Sequence, residues 1–128
     1  MKIYFAKPAS SEQENAYIYT QIAHLLGEYG EVLFEELSLG EGAEASYIYE
    51  RNTDWLRDAD VVIAEVTTPS LDVGYEIGLA ESHEKRIICI YREQEDRHLS
   101  SMIAGNRNLS IAQYESVSDL ENIFADFF

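Results

Sequence analysis

Glu76 is the residue of this chain whose type and setting best suit chemistry. It lies between Gly74 and Gly78, and glycines leave room for a bulky ligand to approach the backbone, which makes Gly74 a candidate substrate contact. A helix that begins near Val73 would place Glu76 in its first turn, where unpaired amide donors favour an ionised carboxylate. Such a carboxylate could attack a sugar carbon. The alternative is the commoner role of a first-turn acid, which only stabilises the start of the helix.

The residues before Glu76 indicate where this helix stands in a fold. Residues 60–66 are β-branched and nearly all apolar, as in a parallel strand covered on both faces. Pro69 lacks an amide donor and has a fixed φ, so a turn follows that strand. Asp72 is the predicted N-cap of a helix over 73–83. Glu76 would then lie just beyond the carboxyl end of a strand, where open α/β sheets bind ligands.

The rest of the chain alternates between strand and helix patterns. The predicted strands are 2–6, 31–34, 60–66, 87–91 and 109–112. The predicted helices are 12–30, 47–58, 73–83 and 116–128, with one helical turn at 100–105 and an acidic loop at 35–46. This alternation predicts an α/β fold of three layers, a doubly wound, flavodoxin- or Rossmann-like arrangement with a five-stranded parallel sheet in the order 2-1-3-4-5. In that order the first and third strands are neighbours, so the segments 4–11 and 67–76 should meet.

Length and charge restrict the class of protein. The 128 residues are expected to form a single domain over 1–128. The net charge of −15, from 24 acidic and 9 basic residues, opposes binding to a nucleic-acid polymer, where neutralised phosphates supply most of the affinity. It does not exclude a single nucleoside or nucleotide, because a helix N-terminus supplies local positive potential. No apolar run reaches the roughly 18 residues of a membrane helix, and the N-terminus does not fit a signal peptide, so a cytoplasmic protein without a membrane partner is the default expectation.

No metal or cofactor is expected from the sequence. The three histidines, at positions 24, 83 and 98, have no metal-ligand spacing and no partner cysteine. Cys89 is the single cysteine and lies in the apolar run 87–90. It is therefore predicted to be a buried hydrophobic residue without a disulfide partner in the chain.

A resemblance to a known family is carried mainly by residues 54–78, which read DWLRDADVVIAEVTTPSLDVGYEIG. This block resembles the nucleoside 2-deoxyribosyltransferase superfamily, most closely its 2'-deoxynucleoside 5'-monophosphate N-glycosidase branch. The likeness extends to Ile3-Tyr4-Phe5, to residues 97–105 and to the aromatic C-terminal segment. It therefore covers essentially the whole chain.

The resemblance implies a reaction and roles for particular residues. Family members cleave the bond between base and 2-deoxyribose through a glutamate that attacks the anomeric carbon, which here is Glu76. Water then releases the sugar in the hydrolases, and a second base does so in the transferases. Tyr4 matches a tyrosine that orients the nucleophile. Ser70 matches a serine that contacts the 5'-phosphate, and Ser100 matches one that reaches a phosphate from the neighbouring subunit of a homodimer.

One departure from the family pattern concerns the acid that precedes the nucleophile. The family usually has an aspartate 24 residues before the glutamate, and that position is Asn52 here. An asparagine can hydrogen-bond a sugar or a base but cannot deliver a proton. Asp54 is near in sequence but should face elsewhere, because two positions along a helix lie roughly 200° apart.

Two further departures concern the phosphate. The loop 7–12 lacks the glycines and the arginine of the monophosphate branch, which leaves Lys7 and Ser10 as candidate substrate contacts and Arg97 as another available cation. Asp72 occupies the position of a family glycine near the phosphate, so a negative charge would lie close to the substrate. A neutral nucleoside therefore competes with the nucleotide as substrate.

The sequence leads to one main functional hypothesis and two alternatives. The main hypothesis is an N-glycosidase that acts on a (2'-deoxy)nucleoside or its 5'-monophosphate through a covalent glutamyl-sugar intermediate. The alternatives are a nucleoside 2-deoxyribosyltransferase and a catalytically silent nucleotide-sensing module on the same fold. Glu65 could tune Glu76 by repulsion or bond to a loop at the end of its strand, and the second role is preferred. Aromatic residues of the second helix make a homodimer interface feasible.

Overall fold

The computed structural model describes residues 1–9, 13–35 and 44–128. The strands are β1 (Lys2–Ala6), β2 (Glu31–Leu33), β3 (Val61–Glu65), β4 (Arg86–Tyr91) and β5 (Ser110–Gln113). The helices are α1 (Gln13–Leu26), α2 (Ala45–Asp58), α3 (Leu71–Ser82), α4 (Ser101–Ala104) and α5 (Asp119–Phe127). Ser10 and most of the predicted loop 35–46 lie outside the described residues.

The five strands form one parallel sheet in the order β2-β1-β3-β4-β5. This confirms the predicted architecture and strand order. β1 and β3 are direct neighbours, with Tyr4 opposite Val62 in the register. The loops that follow these two strands therefore emerge side by side at the carboxyl edge of the sheet, at the point where the winding of the chain reverses.

Strand side chains alternate between two apolar cores, one on each face of the sheet. Ile3 and Phe5 of β1 belong to the core beneath α1 and α5. Tyr4 and Ala6 belong to the core beneath α2 and α3. Cys89 is fully buried in this second core, as predicted. The alternation matters for function because it directs Tyr4 toward the face of the sheet that carries α3.

The start of α3 differs from the prediction that Asp72 is the N-cap. Ser70 caps the helix instead: its backbone is extended (φ −143°, ψ 124°) and its Oγ accepts a hydrogen bond from the Val73 amide at 3.3 Å. Both residue types are good caps, and the earlier one closes the first turn here. Asp72 therefore lies inside the first turn, and Glu76 lies in the second turn rather than the first.

Two other boundaries have a clear physical reason. α1 ends at Leu26, where the Gly27 amide bonds to the Ala23 carbonyl at 3.0 Å, so the predicted stop at Gly30 is wrong. A Cβ on Gly30 would lie 2.4 Å from the Met1 carbonyl oxygen, so this glycine permits close approach of the N-terminus. The last helix begins at Asp119, later than predicted, and its carboxylate accepts from the Ser116 amide at 3.0 Å.

The described residues contain neither a membrane span nor a metal site. No helix among them is both long enough and apolar enough to cross a membrane. Within the same part of the chain, no group of three or more histidine, cysteine, aspartate or glutamate side chains is arranged to hold a metal ion.

Candidate active site

Tyr4 and Glu76 meet at the carboxyl edge of the sheet. The Tyr4 hydroxyl donates a hydrogen bond to Oε2 of Glu76. Tyr4 is only 3% exposed, and Glu76 is partly buried. The contact follows from the fold, because β1 lies next to β3 and the α3 helix follows β3 directly. The hydrogen bond occupies one carboxylate oxygen and leaves Oε1 for another partner.

The environment of Glu76 makes its carboxylate more basic than an ordinary glutamate. Burial raises the pKa of Glu76 to about 7, and the nearby charge of Asp72 contributes in the same direction. The Tyr4 hydrogen bond and the Lys7 charge oppose this rise. The expected stabilisation of the ionised form by the helix start is therefore not dominant, since the macrodipole acts mainly within the first turn and Glu76 lies beyond it.

Tyr4 remains a neutral donor in this pair. Burial raises the pKa of the Tyr4 hydroxyl well above its ordinary value, and the Glu76 charge raises it further. The Arg51 charge acts in the opposite direction. A hydroxyl that stays protonated can hold the carboxylate in one orientation throughout the neutral pH range.

A cavity of about 300 Å³ opens beside Glu76, between α2 and α3. The described residues that line it are Ala45, Ile48, Tyr49, Asn52, Thr53, Asp72, Tyr75 and Glu76. Two of its walls are aromatic, formed by Tyr49 and Tyr75. The cavity thus combines a carboxylate, an amide and aromatic surface, which are the groups that a small polar ring compound would need.

Asn52 enters this cavity from α2, and its amide is held by its neighbour Arg51. The Arg51 Nε and Nη2 atoms donate to the Asn52 Oδ1 at 3.1 and 3.0 Å. The Arg51 guanidinium lies 4.7 Å from the Trp55 ring centroid and 3.7 Å from a Glu35 carboxylate oxygen. Asp54 points away and pairs with Arg57 at 3.1 Å, as expected from the helical spacing.

Lys7 is partly buried and acts on the Glu76 carboxylate electrostatically. Burial lowers the pKa of Lys7, while the charges of Glu35 and Glu76 raise it. Its ammonium lies 5.8 Å from the Tyr19 ring centroid. The structure therefore brings together Tyr4, Glu76, Lys7, Asn52 and Asp72.

Ser70, Gly74 and Ser100 line a different space, a groove of about 510 Å³ between α3 and α4. Ser70 is the N-cap of α3, and Ser100 caps α4 by accepting from the Met102 amide at 3.3 Å. Arg97 lines a third, smaller cavity and lies 3.9 Å from Asp96. Neither serine lines the Glu76 cavity within one subunit.

A buried polar network fixes the loop that leads into α3. The Glu65 side chain is fully buried, and it accepts from the Thr67 amide at 2.7 Å, from the Thr67 hydroxyl at 2.9 Å and from the Tyr114 hydroxyl. The Thr67 hydroxyl in turn accepts from the Arg92 amide at 2.9 Å. Glu65 thus bonds to the loop, as preferred from the sequence, rather than acting on Glu76.

Two residues of this region were missed by the sequence analysis. Arg51 and Glu35 influence the Tyr4–Glu76 pair electrostatically. The only signal for Arg51 was its position next to Asn52, which could have indicated a partner for the amide. Glu35 had no such signal, because an acidic residue after a short strand is common on protein surfaces.

Comparisons with known proteins show the family to which the chain belongs. The family model described as nucleoside 2-deoxyribosyltransferase matches residues 3–120. A Nematostella vectensis protein, named as a proposed 2'-deoxynucleoside 5'-phosphate N-hydrolase, is 41% identical over 138 residues, which cover 99% of this chain and 93% of that protein. A 5-hydroxymethyl-dUMP N-hydrolase of Tetraodon nigroviridis is 36% identical and covers 100% of this chain and 97% of its own.

A solved structure also shares the fold. The CMP N-glycosidase of Clostridium botulinum superposes with a TM-score of 0.77 at 18% identity, over 100% of both chains. The match to the family model and the identity to these relatives both extend along nearly the entire sequence. The chain belongs to the nucleoside 2-deoxyribosyltransferase family.

Proposed function

We propose that this protein is an N-glycosidase that cleaves the base–sugar bond of a (2'-deoxy)nucleoside 5'-monophosphate or of the nucleoside itself. The observation that carries the proposal is the partly buried Glu76 carboxylate, oriented by Tyr4 at the wall of a cavity. Relatives that align with nearly the whole chain are named as N-hydrolases of 2'-deoxynucleoside 5'-phosphates. The whole described chain would work as one catalytic domain.

The proposed reaction has two steps. In the first, the ionised Glu76 attacks the anomeric carbon with the oxygen that Tyr4 does not bind, and the base leaves with the electron pair of the glycosidic bond. In the second, water attacks the same carbon and Glu76 leaves as a carboxylate, and the proton that the water loses neutralises the departed base anion. Tyr4 keeps the carboxylate in one orientation, which preserves the geometry for attack.

The lining of the Glu76 cavity restricts where a 5'-phosphate could bind. The described residues that line the Glu76 cavity include no lysine or arginine, and Asp72 adds a negative charge there. The amide groups at the start of α3, next to Ser70, supply positive potential for an anion. We propose that the 5'-phosphate, where present, lies toward this helix start, and that Lys7 and Ser100 of a second subunit contact it. Ser10, which lies outside the described residues, stays a further candidate contact.

The test is release of free base from labelled deoxynucleosides and their 5'-monophosphates. We expect release by the wild type and a loss of about 10³-fold or more for Glu76→Gln, since the variant lacks the nucleophile. Glu121→Gln, which alters an exposed acid on the other side of the sheet, is the matched control. Equal turnover by the wild type and Glu76→Gln would exclude the mechanism, and binding without turnover would favour the silent sensing module.

A transferase is the second candidate, favoured by the description of the family model itself. Adding a free base to the same assay separates the two activities. A hydrolase produces free deoxyribose or its phosphate whether or not a base is added. A transferase produces a new nucleoside or nucleotide that contains the added base.

The proposal includes a homodimer formed along the groove between α3 and α4. Leu71 is 90% exposed and Met102 is 82% exposed, and both line that groove. A Cβ on Gly74 or Gly78 would meet no atom within 4 Å, so this face of α3 could accept a closely packed partner. The cytoplasmic location expected from the sequence, which suits the free Cys89, also remains part of the proposal.

A further inference from the structure

The charged side chains that line the Glu76 cavity are both carboxylates. Among the described residues around it, Asp72 and Glu76 can carry a charge of this kind, and no lysine or arginine lines it. Asp72 is exposed, and its charge raises the pKa of Glu76, so the two carboxylates lie within electrostatic range of each other. The cavity therefore presents negative potential to a ligand, and a positive charge on that ligand would be attracted.

The two cations near this cavity each lie close to an acidic group. The Arg51 guanidinium is 3.7 Å from a carboxylate oxygen of Glu35, and the side chains of this pair are 16% and 26% exposed. Lys7 is partly buried, and the charges of Glu35 and Glu76 act on it. Neither Arg51 nor Lys7 lines the cavity. Their charges therefore offset those of the acids beside them more than they change what the cavity offers to a ligand.

The aromatic walls of the cavity favour the same kind of ligand. Tyr49 comes from α2 and Tyr75 from α3, and they are 51% and 57% exposed. The face of an aromatic ring attracts a cation, because its quadrupole is negative there. A planar ring that carries a positive charge gains this attraction in addition to the stacking that a neutral ring of the same shape would gain.

The departure of the base also becomes easier when the base starts with a positive charge. A neutral base leaves as an anion unless an acid protonates it. Asn52 lines the cavity, and its Oδ1 accepts from Arg51 Nε and Nη2 at 3.1 and 3.0 Å. An amide can donate a hydrogen bond but cannot deliver a proton. A cationic base leaves as a neutral molecule, so its departure does not depend on a proton from Asn52 or from any other group.

We propose that the preferred substrates are N-glycosides whose base is a cation, of which a pyridinium ring is the simplest case, and that Asp72 determines this specificity. The inference rests on the proposed N-glycosidase function and names its substrate class. Glu76 attacks the anomeric carbon, the electron pair of the C–N bond moves onto the ring nitrogen, and a neutral pyridine departs. Water then attacks the same carbon, Glu76 is released as a carboxylate, and the proton that the water loses passes to the solvent.

The first experiment measures binding without turnover, in Glu76→Gln. Nicotinamide 2'-deoxyriboside, a permanent cation, is compared by calorimetry with the benzamide C-nucleoside of the same sugar, in which carbon replaces the charged nitrogen. We expect the cation to bind about tenfold more tightly or better. Raising the salt concentration from about 50 to about 500 mM should weaken the binding of the cation and leave that of the neutral ligand unchanged. Equal affinities, or no binding of either ligand, would overturn the inference.

The second experiment tests whether Asp72 causes the preference. Adding Asp72→Asn to Glu76→Gln should reduce the preference to about threefold or less, the part that the aromatic walls supply, with the affinity for the C-nucleoside unchanged. Asp54→Asn in the same background is the matched control, because Asp54 lies on α2, is exposed and pairs with Arg57 at 3.1 Å. It should keep the full preference. Equal losses in the two variants would contradict the inference, since the overall charge of the protein would then explain the preference.

Turnover by the wild type separates the inference from the proposed function. We expect release of nicotinamide from its deoxyriboside, with kcat/KM about tenfold or more above that for 2'-deoxyuridine. If neutral nucleosides or nucleotides are cleaved and the pyridinium nucleoside is not, the inference fails and the proposed function stands. If the protein cleaves none of these N-glycosides, the proposed function fails and the inference fails with it.

Discussion

The Tyr4 hydroxyl donates a hydrogen bond to Oε2 of Glu76 across 72 positions of sequence. The two residues meet because β1 and β3 pair in parallel and α3 begins directly after β3. The bond joins the buried hydroxyl of β1 to the carboxylate that we propose as the nucleophile. It also opposes the rise in the Glu76 pKa that burial causes.

Removal of this hydrogen bond should slow the reaction and shift its pH dependence. Tyr4→Phe leaves the Glu76 carboxylate without its orienting donor, and we expect kcat to fall by about 10- to 100-fold. Because the bond lowers the pKa of Glu76, its loss should move the acidic limb of the kcat/KM profile to higher pH. Tyr17→Phe, on a tyrosine that is 65% exposed, is the control. An unshifted profile in Tyr4→Phe would contradict this role.

Asp72 should affect the pH profile in the opposite direction. Its charge raises the pKa of Glu76, after the larger effect of burial. Asp72→Asn removes that charge with little change in shape, so the acidic limb of kcat/KM should move to lower pH. The measurement is initial rates across about pH 4 to 9, a range that spans the ordinary and raised pKa values of a glutamate. A limb that stays in place would show that Asp72 does not act on Glu76.

Glu76 should make the folded protein less stable as the pH rises. Its pKa is about 7 in the folded state and 4.5 as the ordinary value, so folding favours the protonated form. The stabilisation present below pH 4.5 is lost as the pH rises through 7. Glu76→Gln should therefore raise the free energy of unfolding by about 1–3 kcal/mol near pH 8, and the gain should vanish at low pH. Urea unfolding at both pH values tests this, and a constant difference would contradict it.

The buried network at Glu65 should contribute to stability. Tyr114→Phe removes one donor from a fully buried carboxylate, and we expect the free energy of unfolding to fall by about 1–3 kcal/mol. Tyr91→Phe is a suitable control, because the Tyr91 hydroxyl makes only a long 3.4 Å contact with Gln113 among the described residues. Thermal melts of both variants are the measurement. Equal melting temperatures would show that the Tyr114 bond contributes nothing net.

The proposed dimer should depend on the exposed apolar residues of the groove. Leu71→Asp places a charge at the first position of α3, where an acid suits the helix start, so the fold should be kept while association is weakened. We expect the wild type to sediment as a dimer and the variant to sediment mainly as a monomer at micromolar concentration. Tyr17→Asp, on α1, is the control for adding a charge at an exposed site. A wild type that sediments as a monomer would exclude the dimer.

The sheet and the meeting of Tyr4 with Glu76 could be foreseen because both follow from short-range pattern. Alternation along β1 assigns Tyr4 to one face, and the apolar run of β3 followed by a proline turn sets the place of α3. The start of α3 could not be foreseen, since Ser70 and Asp72 are both competent caps. Just before this start Glu65 holds Thr67, and Glu65 is itself bonded to Tyr114, 49 residues away, which no local pattern indicates.

The properties of the site were harder to foresee than its location. Burial decides the pKa of Glu76, and burial depends on how α2 and α3 pack together. The sequence suggested that a helix start would keep the carboxylate ionised, but the two-residue change at Ser70 moved Glu76 out of the first turn. The orientation of Asn52 likewise depends on Arg51, which only the folded helix brings against Trp55.

The weak anchoring of α2 has a consequence for how such a protein can diversify. Of its fourteen residues only Thr53 and Leu56 are buried, yet it supplies five of the described residues around the cavity: Ala45, Ile48, Tyr49, Asn52 and Thr53. Most of this helix can therefore change over evolutionary time without loss of the folded state. The tyrosine and the glutamate sit on other elements, which such changes do not disturb. A lineage could thus acquire specificity for new bases through substitutions in α2, while the Tyr4–Glu76 pair stays unchanged.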